Sequence, residues 1–267
     1  MGEKFENRVA IVTGGGGGLG RAVCKRLAMD DAKIVVLDIN PDTAQETVEL
    51  LEKDGHEAFA IVCDVTNEES VKNMVSVVKE KFGKIDMLVN NAGMCIEART
   101  ALRLCDTDEA TWDKSINLNL KSVYLMCKHV IPEMIKNSSG SICNVSSVAG
   151  YFPVFSASYA AAKAGIIALT KSIALQYADD HIRCNCICPG PMRTPTGISA
   201  NKIGTVYTDQ PRLRMIDRIA DPMEMANAIC FLLSDEASYI SATELKVDGG
   251  SMAVSVKIPP RAKAEEG

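Results

Sequence analysis

Short apolar runs alternate with amphipathic helical stretches along nearly the whole of this 267-residue chain, and that alternation leaves few folds open. RVAIVTG, KIVVLDI, EAFAIVCDV, KIDMLVNNAG, GSICNVSSVAG, HIRCNCICPG and ATELKVDGG read as strands. Most are apolar throughout rather than at every second residue, as expected of strands covered on both faces. Between them lie helical stretches such as GRAVCKRLAM, PDTAQETVELLEKDG, NEESVKNMVSVVKEKFG, a long one from Thr111 to Asn137 with a kink expected near Pro132, SASYAAAKAGIIALTKSIALQYA and DPMEMANAICFLLSD. Strand–helix–strand units cross over with a right hand, so the pattern predicts an α/β fold: one doubly wound parallel sheet of about seven strands with helices on both faces. The length suits a single domain over residues 1–250, with 251–267 as a C-terminal tail. The polar stretch at about 193–220 follows the carboxyl end of the sixth strand, where ligands bind in such folds, and reads as a substrate lid.

Composition narrows the function. A formal charge of −5 argues against a nucleic-acid partner. No apolar run approaches the ~18–20 residues that cross a bilayer. The N-terminus lacks the long apolar stretch of a signal peptide, and Glu6 breaks a myristoylation motif, so a cytoplasmic protein is expected. None of the ten cysteines forms C-x-x-C, and they read as buried thiols. Cys184, Cys186 and Cys188 share one face of a strand, with no liganding set around them; no metal site is expected. His56, His129 and His181 are scattered and read as packed or solvated side chains.

TGGGGGLG, from Thr13 to Gly20, falls between the first strand and the first helix. Glycines there let the backbone approach a pyrophosphate, and the helix start offers it free N–H groups. No Gly-Lys-Ser/Thr follows, so a Walker-type phosphate loop is a poor match. Gly14, Gly16, Gly17, Gly18, Leu19 and Gly20 are therefore candidate cofactor contacts in a Rossmann-type domain. Asp38 ends the second strand about 20 residues on, where a carboxylate accepts from the adenosine ribose hydroxyls and repels a 2′-phosphate. With Ile39 rather than a basic residue next to it, NAD is favoured over NADP, although Arg21 lies beside the loop.

Tyr159 and Lys163 form Y-A-A-A-K on a predicted helix, one turn apart on one face. An ammonium there, with the positive nicotinamide ring, is expected to favour the phenolate and make Tyr159 a general acid and base. Upstream, a strand ends in N-V-S-S-V-A-G, whose serines can reach a substrate oxygen.

Taken in order, TGGGGGLG, Asp64-Val65, NNAG at Asn90 to Gly93, N-L-K-S-V-Y from Asn119, the Ser-Ser strand end, Y-A-A-A-K, PGPMRT and V-D-G-G resemble the short-chain dehydrogenase/reductase family from Arg8 to Gly250. The resemblance implies a dehydrogenase with Tyr159 as proton donor and acceptor. Lys163 would hold the nicotinamide ribose and lower the tyrosine pKa, and a serine would orient the substrate. Asn119, favoured over Asn117 by the family pattern, would hold a helix kink and a relay water. Ser146 and Ser147 compete: alignment of S-S-V-A-G favours Ser147, which is taken here, while spacing to the tyrosine favours Ser146. The resemblance further implies that Asp64 and Val65 contact adenine, that Asn91, Ala92 and Gly93 pass the adenosine ribose, and that Pro189, Gly190, Met192 and Thr194 lie at the nicotinamide. It implies a homo-oligomer, tetramer or dimer, joined through the long helices. The expected substrate is a secondary alcohol or ketone, such as a hydroxysteroid or cyclic alcohol, in a pocket formed by Cys95, Ile96, Tyr151 to Phe155 and the lid. A 3-oxoacyl-carrier-protein reductase, a sugar or polyol dehydrogenase and a non-catalytic NAD-binding sensor are the alternatives.

Overall fold

The computed structural model describes residues 4–96, 103–152, 154, 156–194, 215, 216 and 218–253. Seven strands form one parallel sheet: β1 (Val9–Thr13), β2 (Lys33–Asp38), β3 (Ala58–Val62), β4 (Met87–Asn90), β5 (Gly140–Val145), β6 (Ile182–Pro189) and β7 (Glu244–Val247), in the order β3-β2-β1-β4-β5-β6-β7. Seven α-helices connect them among the described residues: α1 (Gly18–Ala28), α2 (Pro41–Lys53), α3 (Glu68–Phe82), α4 (Glu109–Ile116), α5 (Ser122–Lys136), α6 (Ala157–Gln176) and α7 (Pro222–Leu233).

The two-residue period of a strand divides the core. Ala10 and Val12 of β1, with Ile34 and Val36 of β2, face a layer built from α1, α2 and α7. Val9, Ile11, Val35 and Leu37 face the opposite layer of α3, α5 and α6. Central strands are therefore buried along their length, whereas the edge strands β3 and β7 are only partly covered. Cys184, Cys186 and Cys188 are fully buried in β6, and all ten cysteines are free thiols.

Helix starts follow local chemistry. The Asn40 side chain accepts from the Asp42 and Thr43 amides ahead of Pro41, and Asp221 with Glu224 makes a capping box on α7. The helix expected over 111–137 is two helices joined by a π-helical turn, Asn117–Lys121. α5 runs unbroken across Pro132, so the irregularity lies upstream of the proline, at Asn119. Most of the expected lid, residues 195–214 and 217, lies outside the described residues, as do Pro153 and Phe155, residues 97–102 and the tail beyond Ala253. No helix among the described residues is long and apolar enough to cross a membrane.

Strand order reverses between β1 and β4. The chain runs outward through β2 and β3, then returns to the other side of β1. That reversal opens a crevice at the carboxyl ends of β1 and β4, where such sheets bind ligands. Beneath it runs a buried polar chain: Asn90 Nδ2 donates to Asn144 Oδ1 (2.8 Å), and Asn144 Nδ2 donates to Thr170 Oγ1 (2.9 Å), tying β4 to β5 and β5 to α6. Asn144→Ala leaves the Asn90 amide without its strongest acceptor and is expected to lower stability by about 2–4 kcal/mol. Urea unfolding reads the loss directly, and a loss below about 1 kcal/mol contradicts a binding role for this chain in the core.

Candidate active site

The glycine turn leaves β1 at Thr13. Thr13 Oγ1 accepts the Asn91 and Ala92 amides (2.9 Å each), and Asn91 Nδ2 donates to the Thr13 carbonyl (2.8 Å). The loop after β4 is thus bolted to the start of the turn. Gly20 packs so tightly on the Gly14 carbonyl that a Cβ there would collide with it. A Cβ on Gly17, in contrast, would meet nothing within 4 Å. Gly17 also caps α1 without a side-chain hydrogen bond, and the first turn of α1 carries no acid. Open space beside uncapped helix amides suits an anionic pyrophosphate. Asp38 lies next to the same turn, its two oxygens accepting the Gly16 and Asn40 amides (3.0 Å each), and Ile39 beside it is 68% exposed. Gly14, Gly16, Gly18, Leu19 and Gly20 all lie in this turn and the opening of α1. The chain's own groups therefore fit a dinucleotide.

Asp64 and Val65 follow β3. Asp64 Oδ1 accepts from the Thr66 amide (2.9 Å) and hydroxyl (2.7 Å), and Val65 is buried. Pro189 ends β6. Gly190 donates to the Val247 carbonyl (3.0 Å), Met192 bridges to Ala220, and Thr194 faces Gly18 across the crevice.

Tyr159 and Lys163 stand one turn apart near the start of α6, where Ser156 caps the helix by accepting the Tyr159 amide. Lys163 is 4% exposed, and its Nζ donates to the Val145 carbonyl (2.9 Å) and lies 5.5 Å from the centroid of the Tyr159 ring. The two serines separate cleanly. Ser146 is buried and donates to the Lys163 carbonyl (2.7 Å), whereas the Ser147 hydroxyl accepts the Ala149 amide (3.1 Å) and lies near enough to Tyr159 to lower its phenol. Asn119, fully buried in the π turn, exchanges hydrogen bonds with the Met94 backbone (2.9 and 3.0 Å) and donates to the Ser115 carbonyl (2.9 Å). Gly93 is the hinge of the group: a Cβ there would stand 2.8 Å from Asn119 Oδ1 and 3.3 Å from Lys163 Nζ.

Burial dominates the electrostatics. Desolvation pushes the Tyr159 phenol up to about 12, with the neighbouring Cys95 thiol adding to the rise and the Ser147 hydrogen bond opposing it. The tyrosine side chain is half-buried. Lys163 is pushed down to about 8 by the same loss of water. The lowering of the tyrosine expected from the ammonium is therefore outweighed by burial in the protein alone.

Thr13, Asn144 and Ser115 belong to this framework and were not singled out by the sequence. Thr13 stands at the head of the glycine motif, which is the one signal that points to it. A second cavity of about 720 Å³ opens at the opposite, amino-terminal edge of the sheet. Within its lining Arg8 pairs with Asp235, Lys84 with Asp86, and Arg183 donates to four backbone carbonyls.

Known proteins match this arrangement across nearly the full chain. A family model described as enoyl-(acyl carrier protein) reductase matches residues 15–252. The chain is 40% identical over 257 residues to cis-4-hydroxycyclohexanecarboxylate dehydrogenase of Sinomonas cyclohexanicum, covering 95% of this chain and 100% of the relative. It is similar to a solved structure described as a short-chain dehydrogenase/reductase from Burkholderia xenovorans, with a TM-score of 0.89, 32% identity and coverage of 95% and 100%. A 7α-hydroxysteroid dehydrogenase solved with NADH and 7-oxo glycochenodeoxycholic acid is similar too, with a TM-score of 0.82, 32% identity and coverage of 92% and 94%.

The lysine's burial generates a stability prediction. A base whose folded pKa is lowered from 10.5 to about 8 destabilises the fold fully below pH 8, and the penalty vanishes as pH rises towards 10.5. Lys163→Met is therefore expected to raise the stability of the protein alone at pH 7, by at most about 3 kcal/mol. The gain should fade in denaturation curves recorded near pH 10.5. A variant less stable than the parent at pH 7 contradicts the assignment.

Proposed function

As a member of the short-chain dehydrogenase/reductase family, to which it belongs, this chain is an oxidoreductase acting on CH–OH groups, and we propose that it interconverts a cyclic secondary alcohol and its ketone with NAD, using Tyr159 as general acid and base. The observation that carries this reading is the Tyr159–Lys163 pair, with the buried Lys163 ammonium 5.5 Å from the tyrosine ring and Ser147 close enough to lower the phenol, at the mouth of the glycine crevice.

Each residue has a task in this reading. Gly14, Gly16, Gly17, Gly18, Leu19 and Gly20 hold the pyrophosphate, and Asp38 with Ile39 receives the adenosine ribose. A carboxylate beside that ribose disfavours a 2′-phosphate, which supports NAD. Asp64 and Val65 flank the adenine, while Asn91, Ala92 and Gly93 carry the chain past the ribose to the catalytic group. Pro189, Gly190, Met192 and Thr194 close the nicotinamide end.

Ser147 and Tyr159 address the substrate oxygen together. In alcohol oxidation Tyr159 takes the hydroxyl proton, and in ketone reduction it returns one. NAD bound in the crevice would supply the acceptor for the hydride that the carbinol carbon loses, and its positive ring would add charge that favours the phenolate. Lys163 spends one N–H on the Val145 carbonyl and has two left for a ribose hydroxyl and a proton path. Asn119 fixes the π turn against Met94, the natural place for a water that carries protons to solvent.

The described pocket wall supports a cyclic, largely apolar substrate. At and beside the positions expected to line the pocket, Met94 and Phe152 are 39% and 41% exposed, while the Tyr151 ring carries the Lys246 ammonium 4.7 Å from its centroid. Two of the similar proteins carry names that place the reacting hydroxyl or oxo group on a ring.

Tyr159→Phe removes the proton carrier and keeps the ring. Turnover on a panel of cyclic alcohols should fall by about 10²–10⁴-fold, with NAD affinity within about threefold of the parent. Turnover near the parent level would remove Tyr159 from the mechanism.

A further inference from the structure

Gly16 sits between an acid and a base. Its amide donates to Asp38 Oδ2 (3.0 Å), and its carbonyl accepts from Arg21 Nη2 (2.6 Å). A Cβ at Gly16 would collide with Thr43 Oγ1 and approach Asp38, so the peptide is pressed against the start of α2. Arg21 does not point freely into the crevice. Its Nε donates to Thr47 Oγ1 (2.9 Å), and Nη1 and Nη2 bind the two oxygens of Glu46 (3.0 and 2.7 Å). Thr47 in turn donates to the Gly15 carbonyl (3.0 Å). Four of the five guanidinium N–H groups are thus engaged by α2 and the glycine turn.

The Arg21 side chain is 24% exposed and is held by Gly16 and Thr47 as well as Glu46, whereas Glu46 is 58% exposed. Beside whatever the pair adds to folding, its position has a consequence for the adenosine end. Without Glu46, a guanidinium with free donors would stand next to the peptide that Asp38 holds, and planar donors of that type recognise phosphate well. With Glu46, the positive charge is neutralised and tethered, and the surroundings of the adenosine ribose stay net negative.

We infer that Glu46 is a specificity-determining residue, acting through Arg21 to keep a 2′-phosphorylated dinucleotide out of the site. This rests on the reading of Asp38 as the ribose acceptor of NAD. Glu46 touches the guanidinium rather than the dinucleotide, so it is a positioning residue. Arg21 holds the Glu46 carboxyl below the usual carboxylate range, which keeps the pair ionised at neutral pH.

Calorimetric titration with ADP-ribose and its 2′-phosphate tests the adenosine end without turnover. The full-length parent should bind ADP-ribose more tightly. Glu46→Gln should narrow that preference roughly fivefold to tenfold, mainly through tighter binding of the phosphorylated ligand, with little change in melting temperature. Adding Arg21→Gln to Glu46→Gln should restore the discrimination. Glu46→Ala reads the same quantity if Glu46→Gln folds poorly. A preference within twofold of the parent in the Glu46 variants overturns the inference alone, as does narrowing that persists without Arg21. A parent that binds the 2′-phosphate more tightly overturns the NAD reading first, and the inference with it.

Discussion

One hydroxyl joins the two halves of the site. Thr13 Oγ1 at the end of β1 takes both the Asn91 and Ala92 amides, and Asn91 returns a hydrogen bond to the Thr13 carbonyl. Neighbouring parallel strands would hold these loops near one another in any case. The Thr13 contacts fix their register, and the consequences run outward in both directions. On one side the glycine turn closes, with Gly20 against the Gly14 carbonyl. On the other, Gly93 comes to lie against Asn119 and Lys163, with no room for a side chain between them. The proposed dinucleotide cradle and the proposed proton-handling group are thereby set at a fixed separation by backbone contacts rather than by long flexible side chains.

Burial then decides what the catalytic group can do. The same loss of water that raises the Tyr159 phenol lowers the Lys163 ammonium, so neither residue is poised by its partner alone. Both shifts penalise the charged forms. A positive ring entering the crevice changes that balance for the phenol, because an opposite charge in a desolvated site acts strongly. In the proposed reading the site's acid–base chemistry depends on its cofactor, and the buried lysine is kept at the expense of stability.

Much of this was legible in the sequence. Apolar runs too uniform for one-sided strands predicted a sheet covered on both faces, and the alternation with helices predicted its parallel topology. The glycine motif, Asp38 and Y-A-A-A-K could be placed because each depends on local spacing. The 111–137 stretch was read as one helix with trouble at Pro132, since helix periodicity persists through a π turn and proline is the visible breaker. The actual break, at Asn119, is made by a tertiary contact with Met94 that no local pattern reveals. Thr13 and Asn144 were hidden for the same reason: their partners lie far along the chain. Ser146 and Ser147 could not be separated by spacing. Just past β5, Ser146 turns to the Lys163 carbonyl of α6, which leaves Ser147 as the serine proposed to face the substrate. Arg21 lies beside the loop in sequence, and its tether to Glu46 on the next helix is a tertiary contact that local spacing does not reveal.

The central claim is that burial sets the phenol high in the protein alone and that a bound nicotinamide brings it into working range. Ultraviolet difference titration of tyrosinate, parent minus Tyr159→Phe, measures this on one hydroxyl. The account predicts a midpoint near 12 without NAD and a fall towards neutral pH when NAD is saturating. A midpoint already near neutral without NAD, or one that stays high with NAD bound, would contradict it.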